Sequence, residues 1–219
     1  MIDGQTGQLQ LIGIFFLMSV APLVVVMTTS FTKFSIVLTL LRSALGVQQA
    51  PGNLAISGLA LAATLTVMAP TMHQIGAALG MDERGSSSQP QGLPPLPQLV
   101  DAVRGPLGDF MLTHSRPAER AFLVNAAKRI DPSREASETD FSLLVPAFLI
   151  SEISSGFEAG FLLYVAFLVI DLIVANVLTA MGMMMLSPST VSIPLKLFVL
   201  VAASGVPKLM HALILSYAK

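Results

Sequence analysis

Two long stretches without a charged side chain constrain the fold of this chain more than any other feature. No Asp, Glu, Lys or Arg lies between Gly4 and Thr32 or between Ser43 and Met81, and only three lie between Ala159 and Ala218. Charged residues make up 11% of the 219 residues, whereas soluble globular domains average about 25%. Because lipid obliges a backbone to satisfy its own hydrogen bonds, these stretches predict an all-α integral membrane protein.

Four apolar segments come close to the length of about 20 residues that a helix needs to cross a bilayer. They lie at residues 9–31, 54–79, 157–181 and 191–217. Three of them contain prolines, at Pro22, Pro70, Pro194 and Pro207. Each proline removes a helical hydrogen bond and is expected to kink or break its helix, and such breaks persist at membrane depth only where neighbouring protein covers them. We therefore predict four kinked segments, arranged as two hairpins and packed within an assembly.

The charged residues are concentrated between the two apolar regions. Residues 82–140 hold 16 of the 25 charged residues, which divides the chain into an N-terminal hairpin (1–81), a polar insert (82–141) and a C-terminal hairpin (142–219). Within the insert, a helix is expected over 117–130, because Pro117 suits the first helical turn. A further helix is expected to begin near Phe141, after a Ser/Asp-rich capping segment.

The placement of basic residues predicts how the chain is oriented. The segment after the first predicted helix is interpreted as a loop that carries Lys33 and Arg42, whereas the loop between the third and fourth helices carries no charge. Basic loops favour the cytoplasm, and a segment of about 60 residues translocates largely regardless of its charge. The insert is therefore expected to be periplasmic. Because no basic residue precedes the first apolar run, we expect a retained helix there and not a cleaved signal peptide.

Asp171 is the one acidic residue in the middle of an apolar run. An acid at the centre of a membrane helix costs about 2.5–3.5 kcal/mol on insertion scales, so it belongs to a buried ion pair, a proton path or a packed protein interface. Its candidate partners are Lys196 and a charge on another subunit. Glu152 and Glu158 precede the third predicted segment and are expected to be interfacial.

Four of the twelve methionines fall within 181–185, before Leu186-Ser187-Pro188. Methionine is flexible and polarizable, so several such loops around an axis would form a deformable apolar seal. Lipid-facing or core methionines are an alternative, and a Cu(I) site made of thioethers is a third. The chain has no Cys and its three His residues show no ligand spacing, so neither a metal nor a cofactor is expected.

The sequence contains no recognisable catalytic motif. An intramembrane aspartyl protease needs two carboxylates, and neither a phosphate-binding G-x-x-x-x-G-K-[ST] loop nor a G-x-S-x-G nucleophile elbow is present. The chain is therefore expected not to be an enzyme, and no stripe of residues favours nucleic-acid binding.

Three blocks of sequence resemble one known family. The run after the first segment includes LRSALGVQQ (41–49), with Pro51 and Asn53 following. The second block, 143–188, contains PAFLISE, FLVIDLIVANVL and MGMMMLSP, and the third is SIPLKL (192–197). In this order they resemble the R-subunit family of the type III secretion export apparatus, which includes the flagellar FliP proteins. The chain departs from the family's FVLVDGW-like run, since residues 198–207 read FVLVAASGVP and lack its acid and its Trp.

The resemblance implies a pentameric ring of this chain, assembled with S-type and T-type membrane subunits and the U-type switch protein in the bacterial inner membrane. The ring would be the entrance gate for unfolded protein substrates. It implies that three residues of the methionine loop line the pore as a gasket, namely Met183, Met184 and Met185. It makes the charged residues of the C-terminal half candidate intersubunit contacts: Asp171, Lys196, Glu152 and Glu158. The family loop comprises Arg42, Gly46, Gln48, Gln49, Pro51 and Asn53.

A different class of function remains open from the residues alone. A small-molecule or metal-ion transporter would use Asp171 and the methionine cluster directly.

Overall fold

The structure is a computed structural model that describes residues 3–47, 50–80, 96–133, 135–183 and 185–218, with side chains in the first helix described only in part. Within these residues the chain forms eight α-helices and no strand. The helices are α1 Asp3–Thr28, α2 Phe31–Leu45, α3 Asn53–Ala78, α4 Leu96–His114, α5 Pro117–Ile130, α6 Phe141–Ala180, α7 Pro188–Ala202 and α8 Gly205–Leu215. The all-α prediction is confirmed. Gln48, Gln49, Met184 and residues 81–95 lie outside the described residues.

Two helices, α3 and α6, are long and apolar enough to cross a membrane. Two bent pairs, α1 with α2 and α7 with α8, raise the number of candidate spans to four if each pair counts as one. Helix α6 has 40 residues, which corresponds to about 60 Å at 1.5 Å per residue and is about twice the thickness of the hydrocarbon. It begins at Phe141 as predicted, but it contains Glu152 and Glu158, which were wrongly placed before the helix.

The bend between α1 and α2 is made by hydroxyl residues. The axis turns by 71° between Met18–Thr28 and Phe31–Leu45. The hydroxyls of Thr28 and Thr29 donate to the Val24 and Val25 carbonyls, 2.8 and 2.6 Å away. Such back-bonding offers the backbone groups an alternative to the helical ladder and bends helices.

The prolines do not end the helices that contain them. Helices α1, α3 and α7 continue through Pro22, Pro70 and Pro194. The second sharp bend, of 60°, instead lies between α7 and α8, where Ser204 has a left-handed φ of 51°. The prediction of a break is therefore wrong at these three prolines, whereas the bend between α7 and α8 lies just before Pro207, which was also predicted to kink or break the fourth segment.

Helix α2 replaces the basic loop that the sequence analysis expected after the first segment. Its buried residues Phe34, Val37, Leu38 and Leu41 recur at helical spacing, so packing outweighs the isolated charges. Lys33 is buried on this helix. The loop interpretation is wrong, and the orientation inferred from it loses that support.

Helix α2 packs across α6, and the insert packs on the same framework. One core cluster joins Phe34, Val37 and Leu38 of α2 to α3 and α8. A second cluster joins Phe110 and Met111 of α4 to Met68 of α3 and Phe148 of α6. Helices of the polar insert are thus anchored to the membrane helices.

Candidate functional site

Lys196 and Asp171 form an ion pair within the chain. Lys196 Nζ lies 2.6 Å from Asp171 Oδ2 and also donates to the Ala44 carbonyl of α2, 2.9 Å away. The Lys196 side chain is 4% exposed, whereas that of Asp171 is 41% exposed. Ser192, one turn before Lys196 on α7, is also buried. The pairing that the sequence suggested is present, and Asp171 keeps one face open to a neighbour.

The methionine loop is a capped helix end. Gly182 has a φ of +74° and donates to the Thr179 carbonyl at 3.0 Å, while Met183 N–H donates to the Leu178 carbonyl at 3.0 Å. These two bonds form a Schellman motif, in which a left-handed glycine satisfies the last helical carbonyls. Met183 is 44% exposed and Met185 is fully exposed. The turn therefore presents thioether side chains outward from a rigid base.

The family loop between α2 and α3 is held by its arginine. Arg42 Nη1 donates to Asn53 Oδ1 at 2.6 Å and approaches the Pro51 carbonyl at 3.4 Å. Gly46 ends α2 with a φ of +75°, and a Cβ there would lie 3.3 Å from Ile193 Cγ1. The loop thus joins α2 to the start of α3, and Gly46 permits α7 to pack against it.

Two glycines that the sequence analysis did not single out bring α2 and α6 into close contact. A Cβ added at Gly160 would lie 2.3 Å from Leu40 Cδ1, and one at Gly156 would lie 3.3 Å from Ile36 Cβ. Their spacing is the G-x-x-x-G pattern of close helix packing in membranes, and that pattern was the available signal.

Glu152 is buried in the centre of the chain, at 3% exposure. It accepts a hydrogen bond from the hydroxyl of Tyr217, a residue that sequence reasoning missed because it follows the last helix. Lys33 of α2 and His114 of α4 also contact Tyr217. The expectation that Glu152 is interfacial stays a prediction.

Glu158 lies closer to the surface and pairs with the insert. Its Oε2 is 2.7 Å from Arg116, and its side chain is 64% exposed. The Arg116 backbone N–H also donates to Ser151 Oγ at 2.9 Å. The hydrogen bond from Arg116 to Glu158 raises the pKa of the Arg116 guanidinium, so this link between insert and α6 stays charged.

Among the described residues, no group of three or more His, Asp or Glu is placed to hold a metal ion. The charged side chains instead link different parts of the chain. Asp171 pairs with Lys196, Glu152 accepts from Tyr217, and Glu158 pairs with Arg116. These features define an all-helical protein with two to four candidate membrane spans, ion pairs that join its helices and an exposed methionine turn.

The FliP family model matches residues 14–213, and the chain belongs to the FliP family. It is 39% identical over 213 residues to "Yop proteins translocation protein R" of Yersinia pestis, covering 96% of each chain. It is 41% identical to "Virulence protein YscR" of Salmonella typhimurium, over 90% of this chain and 91% of that one. It is 43% identical to "Flagellar biosynthetic protein FliP" of Caulobacter vibrioides, over 90% of this chain and 71% of that one. The resemblance found in the sequence is confirmed.

Proposed function

We propose that this chain is a core pore and gate subunit of the type III secretion export apparatus, which passes unfolded protein across the inner membrane. The observation that carries the proposal is its similarity to a translocation protein over 96% of both chains. Relatives named for secretion and flagellar biosynthesis support this function over a small-molecule or metal-ion transporter. Asp171, on which a transporter would depend, is already bound to Lys196. The proposal includes no catalysis and no cofactor.

The gasket is proposed to be formed by Met183, Met184 and Met185. The exposure of Met183 and Met185 supports it, because side chains without cover in one chain are available to meet their counterparts around an axis. Methionine repacks around irregular shapes, which suits a seal that must close after a polypeptide has passed. The Schellman cap at Gly182 fixes the base of each turn.

The assembly is proposed to be a pentamer bound to the S-type, T-type and U-type membrane subunits. Helices α3 and α6 are long enough to cross a bilayer. They leave large apolar side chains exposed, among them Leu162 and Phe161 of α6. Of the four candidate intersubunit charges, Lys196 and Glu152 are enclosed by their own chain. We therefore propose only Asp171 and Glu158 as charged contacts between subunits, because their side chains remain accessible.

The membrane arrangement is proposed to be two hairpins, 1–81 and 142–219, in the inner membrane, with the insert 82–141 in the periplasm. The two bent helix pairs support it, because counting each pair as one span gives two candidate spans before the insert and two after it. The insert's contacts with α3 and α6 would hold it at one end of the bundle.

Native mass spectrometry in detergent tests the assembly. The chain is co-expressed with its S-type and T-type partners, and the chain expressed alone is the control. We expect one complex that holds several copies of this chain and both partners. A monomer that binds neither partner would contradict the proposed function.

A further inference from the structure

Tyr217 lies where three parts of the chain meet. Its hydroxyl donates to Glu152 of α6. Its ring stacks on Phe34 of α2 and on Phe110 of α4, with centroids 6.0 and 6.2 Å apart. Its carbonyl oxygen is 3.3 Å from His114 Nε2. One residue thus binds the N-terminal helices, the insert and the long central helix.

The ammonium group of Lys33 also contacts Tyr217. Lys33 Nζ lies 4.4 Å from the centroid of the Tyr217 ring and donates to Ser216 Oγ at 2.8 Å. A lysine over an aromatic face is attracted by the ring quadrupole, more strongly where water is excluded. The hydroxyl of Tyr217 donates to Glu152 while its ring faces Lys33, so both parts of the side chain are held.

These contacts fix the end of α8, which α7 connects to the methionine turn. Met210 and Leu213 of α8 are buried in the core cluster that contains Phe34. On its other side, α8 joins α7 at the 60° bend, and α7 begins at Pro188, immediately after the methionine turn. A displacement of α8 from the core would therefore be transmitted through α7 to the turn.

We infer that Tyr217 is a positioning residue for the gate, which holds α8, and through it α7 and the methionine turn, against α2, α6 and the insert. The link to gating rests on the proposed function, whereas the interlock itself is a property of the single chain. Because Tyr217 also contacts α4, it links the insert to α6 and to the end of α8.

Thiol labelling tests whether Tyr217 keeps α8 packed against the core cluster. The chain has no Cys, so Leu213→Cys places one buried reporter on α8, and Val174→Cys places a matched buried reporter on α6. The rate of maleimide labelling of the full chain in detergent reports how often each position opens. The second tyrosine, Tyr164, is 40% exposed on α6, and Tyr164→Phe is the control substitution.

We expect Tyr217→Phe to speed labelling at position 213 by roughly tenfold, because the variant leaves a buried carboxylate without its hydrogen-bond donor. Tyr217→Ala should speed it further, while Tyr164→Phe and the reporter at position 174 should show no change. Unchanged labelling at position 213 in Tyr217→Ala would overturn the inference. An equal rise at both reporters would also overturn it, because it would reveal general loosening and not release of α8.

The partner of the tyrosine is tested in the same assay. Glu152→Gln keeps an acceptor for the hydroxyl and should label at close to the parent rate, whereas Glu152→Leu should match Tyr217→Phe. The double variant Glu152→Leu/Tyr217→Phe should label at position 213 no faster than either single variant. A labelling rate increased by the product of the two single effects would contradict the assignment of Glu152 as the partner of Tyr217. The assay contains neither partners nor substrates, so its outcome is independent of whether the proposed export function holds.

Discussion

Lys196 Nζ lies 2.6 Å from Asp171 Oδ2, and the lysine side chain is 4% exposed while the aspartate is 41% exposed. The two residues stand on α7 and α6, on either side of the methionine turn. A further hydrogen bond from Lys196 to the Ala44 carbonyl extends the link to α2. The pair therefore holds together the two helices that flank the turn. Its aspartate is accessible to solvent, whereas its lysine is buried.

The first prediction concerns this asymmetry. Asp171→Asn leaves a buried ammonium without its counter-charge and should destabilise the chain by about 1–3 kcal/mol, whereas Lys196→Met leaves an accessible carboxylate and should cost less. The double variant should be more stable than Asp171→Asn alone, because it also removes the unpaired charge. Thermal unfolding in detergent, followed by circular dichroism, measures all three. The exposed Asp101→Asn on α4 is the control, and a double variant that is less stable than both single variants would contradict the account.

A second prediction concerns the contact between α2 and α6. Gly160→Ala should destabilise the chain by about 1–3 kcal/mol through overpacking, because its Cβ would lie 3.0 Å from Leu40 Cβ as well as against the end of that side chain. Gly58→Ala on α3, where nothing lies within 4 Å, should be neutral or stabilising by up to about 1 kcal/mol. Adding Leu40→Ala should recover part of the Gly160→Ala loss in thermal unfolding midpoint. Equal effects at positions 58 and 160 would refute close packing.

The family loop offers a third prediction. Gly46 and Gly80 both have left-handed φ values, but a Cβ at Gly80 has nothing within 4 Å, whereas one at Gly46 meets Ile193. Gly80→Ala should therefore cost only the backbone strain of about 1–2 kcal/mol, and Gly46→Ala should cost more. Ile193→Ala, which removes both the Cγ1 and the Cδ1 atom that a Cβ at position 46 would meet, should relieve only the excess at position 46. Chemical unfolding in detergent separates the two contributions, and identical losses would mean that Ile193 is not in contact.

The methionine turn gives a fourth prediction. Replacing Met183, Met184 and Met185 with Gly should make the closed assembly leak, because the apolar seal loses its flexible side chains. Cells that carry the variant should admit small ions or dyes that the parent excludes. Replacing the exposed Phe122 of α5 with Ala is the control, since it removes a large apolar side chain away from the turn. Permeability equal to that of the parent would show that the turn is not the seal.

Charge depletion and helical periodicity were enough to predict the helical membrane fold and several boundaries. The helix at 117–130 and the start of α6 at Phe141 follow from local signals, namely Pro117 in a first turn and the polar capping segment. The bend between α1 and α2 was misplaced, because proline is visible in a sequence whereas the hydroxyl bonds of Thr28 and Thr29 depend on where the chain turns. Lys33 was assigned to a loop because its burial depends on contacts from residues that lie far away in the chain.

The site was predictable where both partners lie in recognisable motifs. Asp171 and Lys196 each interrupt an apolar run, and an unpaired charge at such a place implies a partner. Tyr217 has no such signal, since a tyrosine after a terminal helix is unremarkable until α2, α4 and α6 are brought around it. The close contact at Gly160 was encoded in a visible spacing, but only the fold shows which helix it meets.

Site-specific photo-crosslinking tests the central claim most directly. A photoreactive amino acid is placed at Met183 or Met185 and, as a control, at the exposed Phe161 of α6, in cells that export a substrate stalled by a folded domain. The account predicts crosslinks to the stalled substrate from the methionine turn and none from position 161. Crosslinks absent from the turn, or equally strong at position 161, would contradict the claim that the exported polypeptide passes between these turns.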